Sequence, residues 1–328
     1  MPQAYATQSA CASPSLEHKI DAVLLTDTSS LIANGESMSY RTLGPNQSAH
    51  VHIYDTDTGA DVVILESTDI LFEAPNWSRD GSSLLLNGHG RLWSLSPEGG
   101  QPSEIPLHGI PALNNDHVLA PDGTTIYLSA EDQHVYRAPL SGGTAERVTP
   151  DDGTWHFLHG VSPDGERLAY TRITTFDQPG TLAVMSAEGG MPTIIDTGHG
   201  HIDGPEWSPD GKWIYLNTER WATRPGHAQL ARLPDGGGEL ERLVESETVD
   251  WFPHLSPDGT KAVYIEFPPG TEGHPADLDV ALVVVDTADW TTPLTRIPLP
   301  GGQGTINVNS WSPDSRRFAY VSYPFGSA

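Results

Sequence analysis

Fourteen histidines carry most of the chemistry that this 328-residue sequence can offer, and they are unevenly placed. Seven of them (His108, His117, His156, His159, His199, His201 and His254) stand in segments that lead into a recurring turn motif. Four more, His89, His134, His227 and His274, stand in or beside longer connections within the repeats. Imidazole changes charge near neutral pH and is the commonest metal ligand. Such a concentration therefore points to a general base or a cation site, although exposed loop histidines are also common. Four residues ahead of each repeat's anchoring position stand Glu73, Asn115, Phe157, Asp203, Trp251 and Asn307, with Asp116 next to the second. Two carboxylates, two amides and two aromatics at one level suit a sugar, because polar groups exchange hydrogen bonds with hydroxyls and aromatic rings stack on sugar faces. The same residues would also serve as loop caps or wedges between repeats.

The expected roles follow. His117, His159 and His201 are candidate catalytic bases. Glu73, Asn115, Asp116, His156, Asp203, Arg220, Trp251 and Asn307 are candidate ligand contacts. Arg220 or Arg224, on a long loop, would pair bidentately with a ligand carboxylate, or would simply be solvated. His254, Gln303 and His117 are candidate ligands of one divalent cation (Mn, Ca or Zn), on position alone.

These residues need a frame, and the turn motif supplies it. The motif reads WSRDG at 77–81, APDG at 120–123, SPDG at 162–165, 208–211 and 256–259, and WSPDS at 311–315. Pro fixes φ, Asp bonds the local backbone and Gly accepts positive φ. A spacing of 40 to 50 residues is one four-stranded propeller blade. Around each turn a short strand A enters and an alternating strand B leaves, followed by strands C and D. The chain ends after an A–B pair (309–311 and 317–322) and begins with an orphan C–D pair (50–55 and 61–66). Joining these into one blade shields the sheet edges. The expectation is all-β: a six-bladed β-propeller with four-stranded antiparallel blades and split-blade closure of the termini. Residues 46–323 form the propeller, 1–45 an N-terminal tail or added edge strand, and 324–328 a C-terminal tail. The D-to-A and B-to-C connections share one face, where the unusual residues gather, and variable loops on a rigid scaffold are where sites usually lie.

Composition excludes several classes. The net charge of −26, with three lysines (Lys19, Lys212 and Lys261), repels nucleic acid and anionic membrane. Cys11 is the only cysteine, so no intramolecular disulfide forms. No apolar run approaches the roughly 20 residues of a membrane span. The N-terminus lacks a basic and apolar leader. A cytoplasmic protein is expected, or a periplasmic or secreted one if a leader has been removed. Gly301-Gly302-Gln303-Gly304 precedes no helix, so it is no phosphate cradle. No GxSxG elbow occurs, and Ser162, Ser208 and Ser256 are turn residues on the far face.

The repeated WSPDG turns, each followed by an alternating strand and then a Gly-Gly turn, resemble the propeller of the TolB family over roughly residues 46–323. The α/β domain that TolB carries ahead of its propeller has no counterpart here, so the envelope role is not implied. A more distant likeness is to oligogalacturonate lyase, a seven-bladed relative with a metal on its upper face. That likeness implies a metal ligand at His254, ahead of an SPDG turn, and another at Gln303. Ile306 and Val308 stand where that family has two histidines. His117, His159 or His201 would have to substitute. Two functions follow. One is binding, with or without turnover, of a small carbohydrate-type ligand in the funnel, including a metal-assisted sugar or uronate lyase or hydrolase. The other is a non-enzymatic scaffold presenting the same face to a protein or peptide partner.

Overall fold

A computed structural model describes residues 40–326. The part of the expected N-terminal tail or edge strand before residue 40 lies outside the described residues. Six antiparallel blades are arranged as expected, and no described residue is helical. Blade 1 runs Phe72–Trp77, Leu84–Gly88, Arg91–Leu95 and Ser103–Ile105 as strands A to D. Blade 2 is Leu113–Leu119, Thr125–Ala130, Val135–Pro139 and Glu146–Arg147. Blade 3 is Trp155–Val161, Arg167–Ile173, Thr181–Ser186 and Thr193–Ile195. Blade 4 is Ile202–Trp207, Trp213–Thr218, Gln229–Pro234 and Glu241–Arg242. Blade 5 is Val249–Leu255, Lys261–Phe267, Leu278–Asp286 and Asp289–Gly301, the last an outer strand of 13 residues.

Blade 6 is the split one. Trp311 bridges to Phe318, strand B is Arg317–Ser322, and strands C and D are Ala49–Asp55 and Asp61–Ser67 from the other end of the chain. The register pairs His50 with Ser322 and Asp55 with Arg317. Residues 46–48 and 324–326 extend the seam: Ser48 N–H donates to Pro324 O at 3.0 Å and Gly326 N–H to Asn46 O at 2.7 Å.

The turns also join the blades. In each, the Asp side chain takes a local hydrogen bond, as Ser208 Oγ donates to Asp210 at 2.7 Å. The residue before that Asp then packs against the following blade's glycine. A β-carbon on Gly165 would lie 3.4 Å from Pro121, on Gly211 3.8 Å from Pro163 and on Gly81 3.7 Å from Pro313. Blade 1 uses Arg79 in place of Pro, against Gly123. Blade 6 uses Ser315 in place of Gly, at φ 60°, and its Oγ accepts Asp258 N–H at 3.0 Å. The anchoring side chains Trp77, Leu119, Trp207, Leu255 and Trp311 are buried, whereas Val161 is half-buried. Arg167 lies over Trp207 of the next blade at 5.2 Å and Arg317 over Trp77 at 5.0 Å. These are the inter-blade contacts that large, flat side chains favour.

Candidate functional site

Every complete blade carries a bulge in strand A, just after or around the position four residues ahead of the anchor. The bulge residue is left-handed at Ala74 (φ 50°), Gly204 (φ 61°) and Phe252 (φ 55°). One extra residue re-aims the side chains on either side of it. At Gly204 the space is also closed, since a β-carbon would lie 2.8 Å from the Phe252 ring. These bulges turn Glu73, Asp203 and Trp251 toward their neighbouring blades.

Asp203 is the centre of the arrangement. Its Oδ1 accepts the Gly204 N–H (2.8 Å), the Thr171 hydroxyl (2.7 Å) and His159 Nε2–H (3.1 Å). Its Oδ2 faces His201 Nε2 at 3.9 Å and His274 Nε2 at 3.8 Å. Three imidazoles from blades 3, 4 and 5 thus converge on one buried carboxylate. Burial works to raise the Asp203 pKa, but hydrogen bonds and charge from His159 and His201 hold it well below the usual carboxylate range. The aromatic wall is Trp251 and Phe252, both buried. His274 packs on them at 4.5 and 5.1 Å, His159 on Phe252 at 5.5 Å and His201 on Trp251 at 5.9 Å.

His159 is not the expected base. Both its nitrogens face acceptors, Asp203 through Nε2 and Asn307 O through Nδ1 at 3.2 Å. Burial alone would lower its pKa, yet Asp116 and Asp203 raise it to about 9. At neutral pH it is an imidazolium that locks Asp203 in place. His201 accepts the Gly180 N–H on Nδ1 (2.8 Å), which leaves its Nε2–H toward Asp203. His274, which had no assigned role, is held neutral by burial at a pKa of about 4, and its Nδ1 has no protein partner. The Trp251 Nε1–H is likewise buried without one.

The other side of the ring is closed by a residue from outside the repeats. Arg41 donates from Nη1 to Glu73 (2.5 Å) and to Gln303 O (2.7 Å), and lies 5.5 Å from the Tyr323 ring centre. Asn115 reaches Glu73 at 3.5 Å. Asn307 accepts the Gly304 N–H at 2.7 Å. Asp116 is held by Asn114 at 3.2 Å, and burial, with Asp203 and Glu73 adding, pushes it up to about 7. Glu131 is pushed to about 7 in the same way, by burial and then by Asp116 and Glu73.

Several expected site residues belong elsewhere. His254 spends both nitrogens on protein groups: Nδ1 meets Glu206 Oε2 at 2.7 Å and Nε2 meets Ile306 O at 2.8 Å. With both nitrogens facing protein oxygens, it is not placed to ligate a metal beside Gln303. His117 bonds Asn87 through Nδ1, is fully buried, and is kept neutral at a pKa of about 3 by that burial. Its Nε2 has no protein partner. Among the described residues no group of three or more His, Cys, Asp or Glu is disposed to hold a metal ion. The residues present do not fit the implied cation. His156 lies between blades 2 and 3, stacked on His134 at 5.7 Å and bonded to Gln133 O at 2.6 Å. It is outside the Asp203 cluster. Arg220 reaches His199 (2.5 Å) and Arg224 reaches Glu247, so both are spent on loops. Phe157 stacks on Trp155 at 5.8 Å, half-buried, away from the cluster.

Comparison with known proteins agrees with this architecture. No family model matches the chain. An uncharacterized protein of Agrobacterium fabrum is 38% identical over 285 residues, covering 85% of this chain and 94% of that one. A solved structure of an Agrobacterium tumefaciens protein described as TolB superposes with a TM-score of 0.77 at 36% identity, covering 85% of this chain and 99% of that one. Oligogalacturonate lyase in complex with manganese superposes with a TM-score of 0.52 at 15% identity, covering 83% and 78%. That last likeness is one of fold alone.

Proposed function

We propose that this chain, which belongs to the TolB-like β-propeller family, binds a small neutral hydroxylated ligand, of sugar type, at the Asp203 side of its funnel. One observation carries this reading. Beside three imidazoles converging on Asp203, a buried indole donor (Trp251 Nε1–H) and a buried imidazole acceptor (His274 Nδ1) stand in contact and lack protein partners. Leaving such groups unmatched costs about 1–3 kcal/mol each, and a hydroxyl satisfies both kinds because it donates and accepts. His201, 13% exposed, offers the way in.

Charge narrows the ligand. The cations of the ring are already matched, Arg41 by Glu73 and His159 by Asp203. Asp116 shares His159 with Asp203, and Glu131 adds acidity with only the carboxylates Asp116 and Glu73 acting on it. An anionic uronate would meet carboxylates, whereas a neutral polyol would not. Of the sugar and uronate ligands that the sequence left open, this charge pattern favours the neutral sugar. Neither the metal nor the lyase step is part of this reading, because His254 spends both nitrogens on Glu206 and Ile306 O.

The test is a thermal-shift screen of neutral mono- and disaccharides against uronates and divalent ions. Ligand at about 100 times its Kd adds about 2.7 kcal/mol. The expected result is a shift with a neutral sugar that Trp251→Phe and His274→Leu remove and that His134→Ala leaves intact. A shift produced by uronates alone, or by none of these probes, would overturn the proposal.

A further inference from the structure

The closing blade holds an arrangement that the funnel does not use. His52, on strand C, places Nδ1 3.1 Å from Asp61 Oδ1 and Nε2 2.9 Å from Ser322 Oγ. The other Asp61 oxygen accepts the Tyr320 hydroxyl at 2.6 Å. The Tyr320 ring lies flat on the imidazole, with centroids 4.4 Å apart and planes 12° apart. The imidazole is thus held at its edge by a carboxylate and across its face by an aromatic ring. Its far nitrogen faces a serine hydroxyl that has no other hydrogen-bond partner among the described residues. Nucleophile, base and orienting carboxylate at these distances are the geometric signature of an activated serine on any fold.

We propose that Ser322 is a nucleophile activated by His52, with Asp61 as positioning residue, and that the closing blade hydrolyses small acyl esters.

The roles follow from the atoms. Burial opposes ionisation of Asp61, but hydrogen bonds from His52 and Tyr320 hold its carboxyl below the usual range, so it is an anion at neutral pH. It takes the Nδ1–H, which leaves the Nε2 lone pair toward Ser322. As Oγ adds to the ester carbonyl carbon, its proton passes to Nε2. The carbonyl re-forms, the ester C–O bond breaks, and the departing alkoxide takes that proton from Nε2 and leaves as alcohol. Water then adds to the acyl-serine, giving a proton to Nε2. Oγ leaves with that proton, and the free acid is released. The ester and water are the only reactants.

The surroundings set substrate size and rate. Ser322 is 5% exposed and lies under the blade 5 edge, where Tyr323 N–H donates to Pro300 O. Such burial would admit at most a short acyl group such as acetyl. The neighbouring main-chain donors are taken, Val321 by Thr305 and Tyr323 by Pro300, so no preformed pair of N–H groups awaits the oxyanion. His50, paired across the strand from Ser322 and 3.0 Å from Ser48 Oγ, is the polar group on that side. Because oxyanion donors are worth about 100- to 1000-fold each, both acylation and deacylation are expected to be slow, and only an activated ester with a good leaving group should acylate faster than it turns over.

The experiment exposes the full chain to a fluorophosphonate and, separately, to p-nitrophenyl acetate. The expected results are a single covalent adduct on Ser322 by peptide mass spectrometry and a burst of about one nitrophenolate per chain. Ser322→Ala should abolish both. His52→Gln should slow acylation at least about 100-fold. Asp61→Asn should slow it while keeping the adduct on Ser322. Trp251→Phe should leave labelling unchanged, which separates this site from the funnel. Natively folded wild-type protein giving neither adduct nor burst would overturn the proposal. So would an adduct that survives Ser322→Ala, or an unchanged rate in a His52→Gln protein that melts normally.

Discussion

Replacing His254 with alanine tests the reassignment of that residue from metal ligand to structural tie. The imidazole joins three blades: its own, blade 4 through Glu206 and blade 6 through Ile306 O. Trp311 Nε1–H adds a bond to His254 O at 3.1 Å, and Asn309 reaches Glu206 Oε1 and Leu255 O. Alanine would take the imidazole from Glu206 Oε2, whose other oxygen keeps Asn309, and from the Ile306 carbonyl, in a site where His254 is 1% exposed. Removing one member of such a pair costs about 3–5 kcal/mol. For a domain of this size, about 2 °C is lost per kcal/mol, so the melting temperature should fall by about 6–10 °C. The measurement is a near-ultraviolet circular dichroism melt, with calorimetry to confirm a single transition. The double variant E206Q/H254Q should lose less than the sum of its single variants, since the two amides can bond each other; a coupling of about 0.5–3 kcal/mol is expected. A His254→Ala protein melting within about 1 °C of wild type, and shifting only when metal is supplied, would refute the reasoning.

Two further outcomes follow from burial and charge. Asp116 and Glu131 have folded pKa values of about 7, above those of the unfolded chain, so their stabilising contribution is complete below about pH 4 and lost as pH rises through 7. His159, raised to about 9, loses its contribution between about pH 6.5 and 9. The melting temperature should therefore fall from pH 5 to 9. Asp116→Asn should flatten the lower part of that fall, by about 2–4 kcal/mol at most, and an unchanged slope would contradict the assignment. Trp311→Ala deletes a buried indole packed on Phe318 at 5.3 Å and should cost about 3–5 kcal/mol. Ending the chain before Arg317 should leave no cooperative melt, and a soluble truncation with a sharp transition would show that blade 6 is dispensable.

What could be read from the sequence was what is local. The turns announce themselves because Pro, Asp and Gly each answer a backbone demand within four residues, and the orphan strands could be matched because alternation survives the split. Symmetry of the repeats placed Asp203, Trp251, His159 and His201 on one face, and in the structure their side chains adjoin. What could not be read was which partner each imidazole would take. His159 is bonded by a carbonyl 148 positions away and His254 by one 52 positions away. Neither distance has a sequence signature. His274 lies on an irregular B-to-C loop whose path the repeat does not fix, and Arg41 precedes the first repeat, so counting repeats could not place either. The bulges were invisible because a residue such as Phe252 at positive φ has no compositional mark.

The split blade has a consequence for how the chain reaches its folded state. His52 and Ser322 are separated by 270 positions, while most strand pairs close loops of a few residues. The entropy of closing a loop grows with its length, so the seam between strands B and C of blade 6 should be among the last ladders to form. Until then the chain carries two half-blades, each with an open edge that fits the other. Two chains at that stage could exchange halves as readily as one chain could close upon itself. At high concentration, refolding would then yield intertwined dimers. A net charge of −26 opposes that encounter between like chains, most strongly at low ionic strength. The acidity that keeps nucleic acid away would thus also favour each ring closing on its own ends.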